Sequence, residues 1–378
     1  MKNLMNKLQE ATDCNLEDIG RAKQAGSTAI GFYCLYSPTE IAVAAGSISL
    51  PLCGTRNEPV SAAEEVLPRN LCPLIKSSYG FGISKTCPFF ESADFIVGDT
   101  TCDGKKKMFE LLSRTKPTIV LQLPQNQSDE SSLTTWKQEL FRFRHLVEER
   151  TGKKITDENL HDAIRLMNRE RQARKRIMDL NKAIPAPLPG SVLLEIMFKV
   201  GFLADKEKGI SLMNEVADLL GGQPQEPEKK RVRPAKRILL TGVPVGVGSD
   251  KVVKIVEQSG ADVVAFENCS GYKQAFTVDE EQEPMEALAK QYLATPCSVM
   301  SPNAGRFTLL REMMREFSVD GVIDLTWQAC HTYNIESYQV SEVVQAQLGV
   351  PLLQLETDYA ESDTEQLRVR VEAYLEMI

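Results

Sequence analysis

The stretch RILLTGVPVGVGSDKVVKIVEQSGADVVAFEN (Arg237–Asn268) contains a complete strand–helix–strand unit. RILLTG (Arg237–Gly242) is a short apolar run closed by glycine, the pattern of a buried strand. Asp250–Gln258 then sets Val252, Val253, Ile255 and Val256 at helical spacing, and ADVVAFEN (Ala261–Asn268) is a second strand. The alternation continues toward the C-terminus. Helices are expected around Met285–Leu293 and Arg306–Phe317, then a strand at VIDLTWQA (Val322–Ala329) and a helix at Ile335–Leu348. A strand at PLLQLETD (Pro351–Asp358) and a helix at Thr364–Ile378 complete the series. Strands alternating with helices predict an α/β fold with a parallel sheet covered on both faces.

Upstream lies GGQPQEPEKKRVRPAKR (Gly221–Arg237), rich in Gly, Pro and charge with almost no large apolar residue. It reads as a linker or exposed loop. The expected boundary therefore divides the chain into residues 1–230 and 231–378. The first part repeats the pattern less regularly. STAIGFY (Ser27–Tyr33), ISLPLC (Ile48–Cys53), DFIVGDT (Asp94–Thr100) and TIVLQLP (Thr118–Pro124) read as strands. Ser37–Ala45, with Pro38 in its first turn, and Lys105–Ser113 read as helices. Ser132–Leu180 is mostly helical, with Leu133, Trp136, Leu140, Phe143 and Val147 on one face. A helical appendage over about 131–220 is thus expected on the first α/β domain.

The chain has 378 residues, 42% hydrophobic and 25% charged, enough for two ordinary soluble cores. A net charge of −8 argues against nucleic acid as the main partner, since phosphate binding needs a basic surface. No apolar run approaches the ~20 residues needed to span a bilayer, and the N-terminus lacks a signal-peptide core. A cytoplasmic protein is expected. In that compartment nine cysteines, an odd number, point to metal ligation or catalysis rather than a disulfide framework. For any one of them the plain alternative, a small buried hydrophobe, stays open.

Position favours ligation for several. In an open parallel sheet, ligands bind beyond the carboxyl ends of the strands. Cys34, Cys53, Cys102, Cys269 and Cys330 each end or follow an expected strand. Cys72 and Cys87, each followed by proline, lie in LPRNLCPLIKSSYGFGISKTCPFF (Leu67–Phe90), which reads as a loop able to fold over a site. There is no C-x-x-C or H-x-x-x-H pair, and His145, His161 and His331 are the only histidines. Many separated thiols and few imidazoles suit an iron–sulfur cluster better than zinc. No P-loop is present. TGVPVGVGSDK (Thr241–Lys251) is glycine-rich but lacks the Lys-Ser/Thr register, so it reads as a strand–helix connection.

LPRNLCPLIKSSYGFG (Leu67–Gly82), GDTTCDGKKKMFE (Gly98–Glu110), FENCSG (Phe266–Gly271), SPN (Ser301–Asn303), QACHTYNIES (Gln328–Ser337) and LETDY (Leu355–Tyr359) resemble the 2-hydroxyacyl-CoA dehydratase and benzoyl-CoA reductase family. The likeness is closest to its double-cubane cluster branch. It implies two flavodoxin-like domains with an iron–sulfur centre between them. It also implies a double-cubane [8Fe-9S] cluster held by Cys34, Cys72, Cys87, Cys102, Cys269 and Cys330. Cys53 and Cys297 lie in less distinctive surroundings, and Cys14, in an N-terminal helix, is not expected to ligate. Val243 stands where similar chains can carry cysteine. The resemblance further implies a homodimer, a small-molecule or acyl-CoA substrate, and electrons from a separate ATP-hydrolysing iron–sulfur activator protein. A dehydratase subunit with a single [4Fe-4S] cluster and a non-catalytic electron-transfer protein stand as alternatives. Candidates for proton transfer are His331, Glu267, Glu40 and Tyr333, each beside a cysteine motif. The competing reading for His331 is a structural role behind the ligands, and for Glu267, Glu40 and Tyr333 a surface or capping role. The run Lys105–Lys107 reads as a solvated face, or as a hold for an anion or for an acidic activator surface.

Overall fold

The computed structural model describes residues 2–221 and 235–378. Most of the expected linker, and the boundary between residues 230 and 231, lie outside the described residues. All eight expected strands form. The first four are β1 (Ala29–Phe32), β2 (Ile48–Pro51), β3 (Phe95–Asp99) and β4 (Thr118–Leu121). They make a parallel sheet in the order β2-β1-β3-β4. The others are β5 (Arg237–Gly242), β6 (Asp262–Phe266), β7 (Gly321–Trp327) and β8 (Leu352–Thr357). They make a second parallel sheet in the order β6-β5-β7-β8. Both orders are those of a flavodoxin-like sheet, with a switch point between the first and third strands of each. The strands are apolar runs because helices cover both faces; β7 is buried at every residue.

Between the sheets the chain forms helices Glu130–Thr151, Asp157–Asp179, Gly190–Gly201 and Lys206–Gly221. Trp136, Leu140, Phe143 and Val147 on the first are buried, as their spacing requires. Thr156 caps the second with its side chain, reciprocated by Asn159. These helices pack against both sheet units. Glu130–Thr151 meets β4 and also the helix Pro284–Leu293, while Gly190–Gly201 meets β6 and the N-terminal helix Lys2–Gln24. The Arg237 guanidinium, on β5, donates to the Asn181 carbonyl at 2.6 Å and the Phe317 carbonyl at 2.9 Å.

Leu67–Phe90 is not a loop. It forms the helices Pro73–Ser84 and Pro88–Ser92, with Cys72 and Cys87 at their N-caps. Proline directly after each cysteine occupies the first helical turn, where its missing N–H costs nothing. Gly80 is not a breaker but a place of close approach: a Cβ there would lie 2.0 Å from the Pro59 carbonyl oxygen. The helix expected at Ile335–Leu348 starts earlier, at His331, and closes with a π-helical turn at Glu342–Gln347.

Candidate metal centre

The carboxyl ends of both sheets open onto one cavity of about 620 Å³. Seven of the nine cysteines line it: Cys34, Cys53, Cys72, Cys102, Cys269, Cys297 and Cys330. Cys14 is exposed on the N-terminal helix. Cys87 does not line the cavity; it sits at the N-cap of Pro88–Ser92, where burial raises its thiol. All nine cysteines are free.

Electrostatic coupling links six of the thiols in two sets of three. Cys72 and Cys330 interact directly, which lowers the first and raises the second, so the pair holds one proton strongly. Cys102 is near enough to act on both. In the other set Cys269 and Cys297 both act on Cys34, and Cys297 acts on Cys269. Burial raises Cys34, and burial pushes Cys269 up to about 12. Cys53 also faces the cavity and is exposed to it. Lys105 stands between the groups. Burial opposes its charge, but Asp99, Cys34, Cys102 and Cys297 all favour it, and its ammonium is held well above the ordinary range.

Local folding explains the placement. Cys102 caps the helix Asp103–Leu112 after β3, and Cys330 caps His331–Ser341 after β7. Ala329, with φ 58°, turns the chain from β7 into that cap. Sequence reasoning did not single out Cys297. Its signal was the duplicated topology. The β2–β3 connection supplies Cys72, and Cys297 lies in the corresponding β6–β7 connection. Lys105 stands in a charge run in the sequence, but in the fold it is buried beside Asp99 at 3.5 Å.

The four proton-transfer candidates separate. His331 and Tyr333 line the cavity; Glu40 and Glu267 do not. Both carboxylates instead stand behind cations that do. Glu40 accepts from Arg171 at 2.6 Å and from Tyr292 at 2.7 Å. Glu267 lies 3.0 Å from Lys273 Nζ. Burial alone would raise Glu267, but Lys273 and Arg306 hold it below the usual carboxylate range. Lys273 donates to the Tyr333 hydroxyl at 3.2 Å, and that hydroxyl lies 3.9 Å from Cys297 Sγ. Burial, then Cys297, hold the Tyr333 phenol well above its ordinary value, so it stays protonated beside the thiols.

Among the described residues no three His, Cys, Asp or Glu side chains converge on a point that would hold a single metal ion. The donor set does suit a polynuclear centre with sulfur ligands. Six thiols surround space rather than one point, cations stand among them, and Ser37, Ser78 and Thr101 present hydroxyls without a protein partner. Such orphaned donors fit an acceptor such as an inorganic sulfide.

Two flavodoxin-like units thus pool seven of their cysteines in a shared cavity. The chain belongs to the family described as 2-hydroxyglutaryl-CoA dehydratase, D-component, whose model matches residues 34–378. YjiM of Escherichia coli (strain K12), provisionally named a dehydratase subunit, is 43% identical over 377 residues, covering 99% of this chain and 98% of that protein. The (R)-phenyllactyl-CoA dehydratase beta subunit of Clostridium sporogenes is 24% identical, covering 94% of this chain and 93% of its own length. A benzoyl-CoA reductase subunit of Thauera aromatica is 22% identical, with 91% and 88% covered. The chain is thus an enzyme of the dehydratase–reductase type. No helix among the described residues is long and apolar enough to cross a membrane.

Proposed function

We propose that this chain is an iron–sulfur reductase with a double-cubane [8Fe-9S] cluster in the cavity between its sheets. The observation that carries the reading is that seven cysteines from both sheet units line one cavity, six of them coupled in two sets of three. Two joined cubanes need two such groups, and a single cubane needs one. The ligands would be Cys72, Cys102 and Cys330 for one half and Cys34, Cys269 and Cys297 for the other. Cys297 thus replaces Cys87 in the set expected from the resemblance.

When bound, the cluster supplies stored low-potential electrons to a substrate. The protein's part is electrostatic and protonic. Lys105 and Lys273 stand among the thiolates and offset their charge. Tyr333 holds a proton next to Cys297, and Lys273 behind it can restore that proton. His331, in the first turn after Cys330, is open to the cavity and is the second candidate donor. Electrons would come from a separate ATP-hydrolysing activator, in keeping with the chain's lack of a P-loop. A homodimer in the cytoplasm completes the proposal.

Anaerobic iron and sulfide determination with EPR of the reduced protein tests it. About eight irons per chain are expected. About four would favour a dehydratase subunit with one cubane, the activity named for several relatives. Iron near zero after reconstitution would overturn both readings.

A further inference from the structure

The helix Asp157–Asp179 turns Met167, Glu170, Arg171 and Arg174 toward the cavity. A packed helix normally carries apolar residues at this i, i+3, i+4, i+7 spacing. Here Glu170 and Arg174 are buried, and Arg171 is nearly so. Arg171 pairs with Glu40 at 2.6 Å, and Arg174 with Glu170 at 2.6 Å. Lys206 joins the same wall from the start of helix Lys206–Gly221. Its ammonium lies 3.8 Å from Glu170 Oε2, beyond hydrogen-bond reach, and that oxygen has no hydrogen-bond partner. Three cations therefore face two carboxylates, and Lys206 has only a loose 3.8 Å ion pair with Glu170, which Arg174 already engages at 2.6 Å. A largely buried cation with so weak a partner is favoured by a further anion.

The charges acting on Lys206 are those of Glu170 and Arg174. The cations set among the thiols are Lys105 and Lys273. The cysteines line the cavity from the two sheet units, whereas its cationic end is built by the helices Asp157–Asp179 and Lys206–Gly221. Leu194, Met197, Phe198 and Phe202 supply apolar wall beside it. We propose that this end is a subsite for the carboxylate of a short aliphatic substrate, with Lys206 as the cation that receives it. The substrate's apolar chain would run along Met197 and Phe198 toward the cysteines. This rests on the reading that the thiol end holds the reducing centre.

Calorimetric titration of butyrate into the full-length protein, purified anaerobically with its iron content measured, tests the subsite. Butyramide, the neutral analogue, and coenzyme A are titrated in parallel. Butyrate is expected to bind, with butyramide weaker by about tenfold or more. Lys206→Met and Lys206→Gln should each weaken butyrate about tenfold, while Lys206→Arg restores it and iron content and melting temperature hold. Equal binding of butyrate and butyramide, or butyrate binding unchanged in both neutral variants, would overturn the proposal. So would loss of iron in those variants, which would make Lys206 part of the centre. Coenzyme A binding that depends on Lys206, with no butyrate binding, would transfer the subsite to a thioester's phosphates and overturn the carboxylate assignment. Wild-type protein without iron would fail the cluster reading alone, because butyrate binding can still be measured on the iron-free chain.

Discussion

Cys102 and Cys330 hold the same position in two copies of one chain path: each lies three residues past the third strand of its sheet and caps the helix that follows. Their thiols face the same space, near enough to influence each other. If both ligate, Cys102→Ser and Cys330→Ser should each remove about half or more of the iron, since each opens one group of three. Cys297→Ser should do the same to the other group. Cys87→Ser and Cys14→Ser should keep full iron. Iron analysis after anaerobic reconstitution checks the series. Full iron in Cys297→Ser with loss in Cys87→Ser would return the ligand set to the one implied by the resemblance.

The strands were legible because a doubly covered parallel sheet writes itself as short apolar runs, such as Arg237–Gly242. Thiols at strand ends were legible for the same reason. Three features were not. Cys72 and Cys87 lie in a segment whose glycines and serines look like a loop, and only packing shows why they are small. Glu40 and Glu267 sit next to cysteine motifs in sequence, yet the fold turns them behind Arg171 and Lys273. Adjacency along a chain does not say which of two neighbouring side chains reaches the cavity. The buried cation at Lys105 was hidden by Lys106 and Lys107, which are exposed.

Gly80→Ala separates these two readings of the segment. As a mid-helix residue, alanine should gain about 1 kcal/mol over glycine. The Cβ, however, would sit 2.0 Å from a backbone oxygen, which cannot rotate away. Overpacking of this kind costs about 1–3 kcal/mol and wins over propensity. Urea denaturation should show a net loss. A stabilised variant would mean that the helix stands clear of Pro59.

Lys105→Met should leave the cysteines in place but remove the cation between the two thiol groups. A positive charge favours the more negative, reduced state of a nearby centre. The reduction potential should therefore fall by tens of millivolts in an EPR-monitored titration, with iron content largely kept. An unchanged potential would show that Asp99, 3.5 Å away, already cancels the lysine's field.

Ala329 makes the turn into the Cys330 cap with a left-handed backbone. For alanine that conformation costs about 1–2 kcal/mol, which glycine avoids at some entropic loss. Ala329→Gly should therefore keep or raise stability, by up to about 1 kcal/mol. Ala329→Val should lower it and reduce iron uptake, because a β-branched residue resists this backbone. Equal behaviour of the two variants in denaturation and iron assays would count against a strained turn here.

Behind the cavity, Arg306 is completely buried among acids. It pairs with Glu336, lies 3.5 Å from Glu267 and 3.8 Å from Asp324, and donates to Thr241 at 2.9 Å. Burial holds the Asp324 carboxyl above its ordinary value. Arg306 and Lys273 are the cations set against Glu267, Glu336 and Asp324. Arg306→Met would leave Glu336 with only the Asn303 amide at 2.7 Å. Breaking a buried pair from one side costs about 3–5 kcal/mol, chiefly because the partner's charge is stranded. If that is the cause, removing the stranded charge should recover part of the loss. The double variant Arg306→Met/Glu336→Gln should be more stable than Arg306→Met alone, by about 1 kcal/mol or more. Guanidinium denaturation of the wild type, both single variants and the double variant gives the coupling directly. Strict additivity would show that Arg306 acts through packing volume and not through its charge.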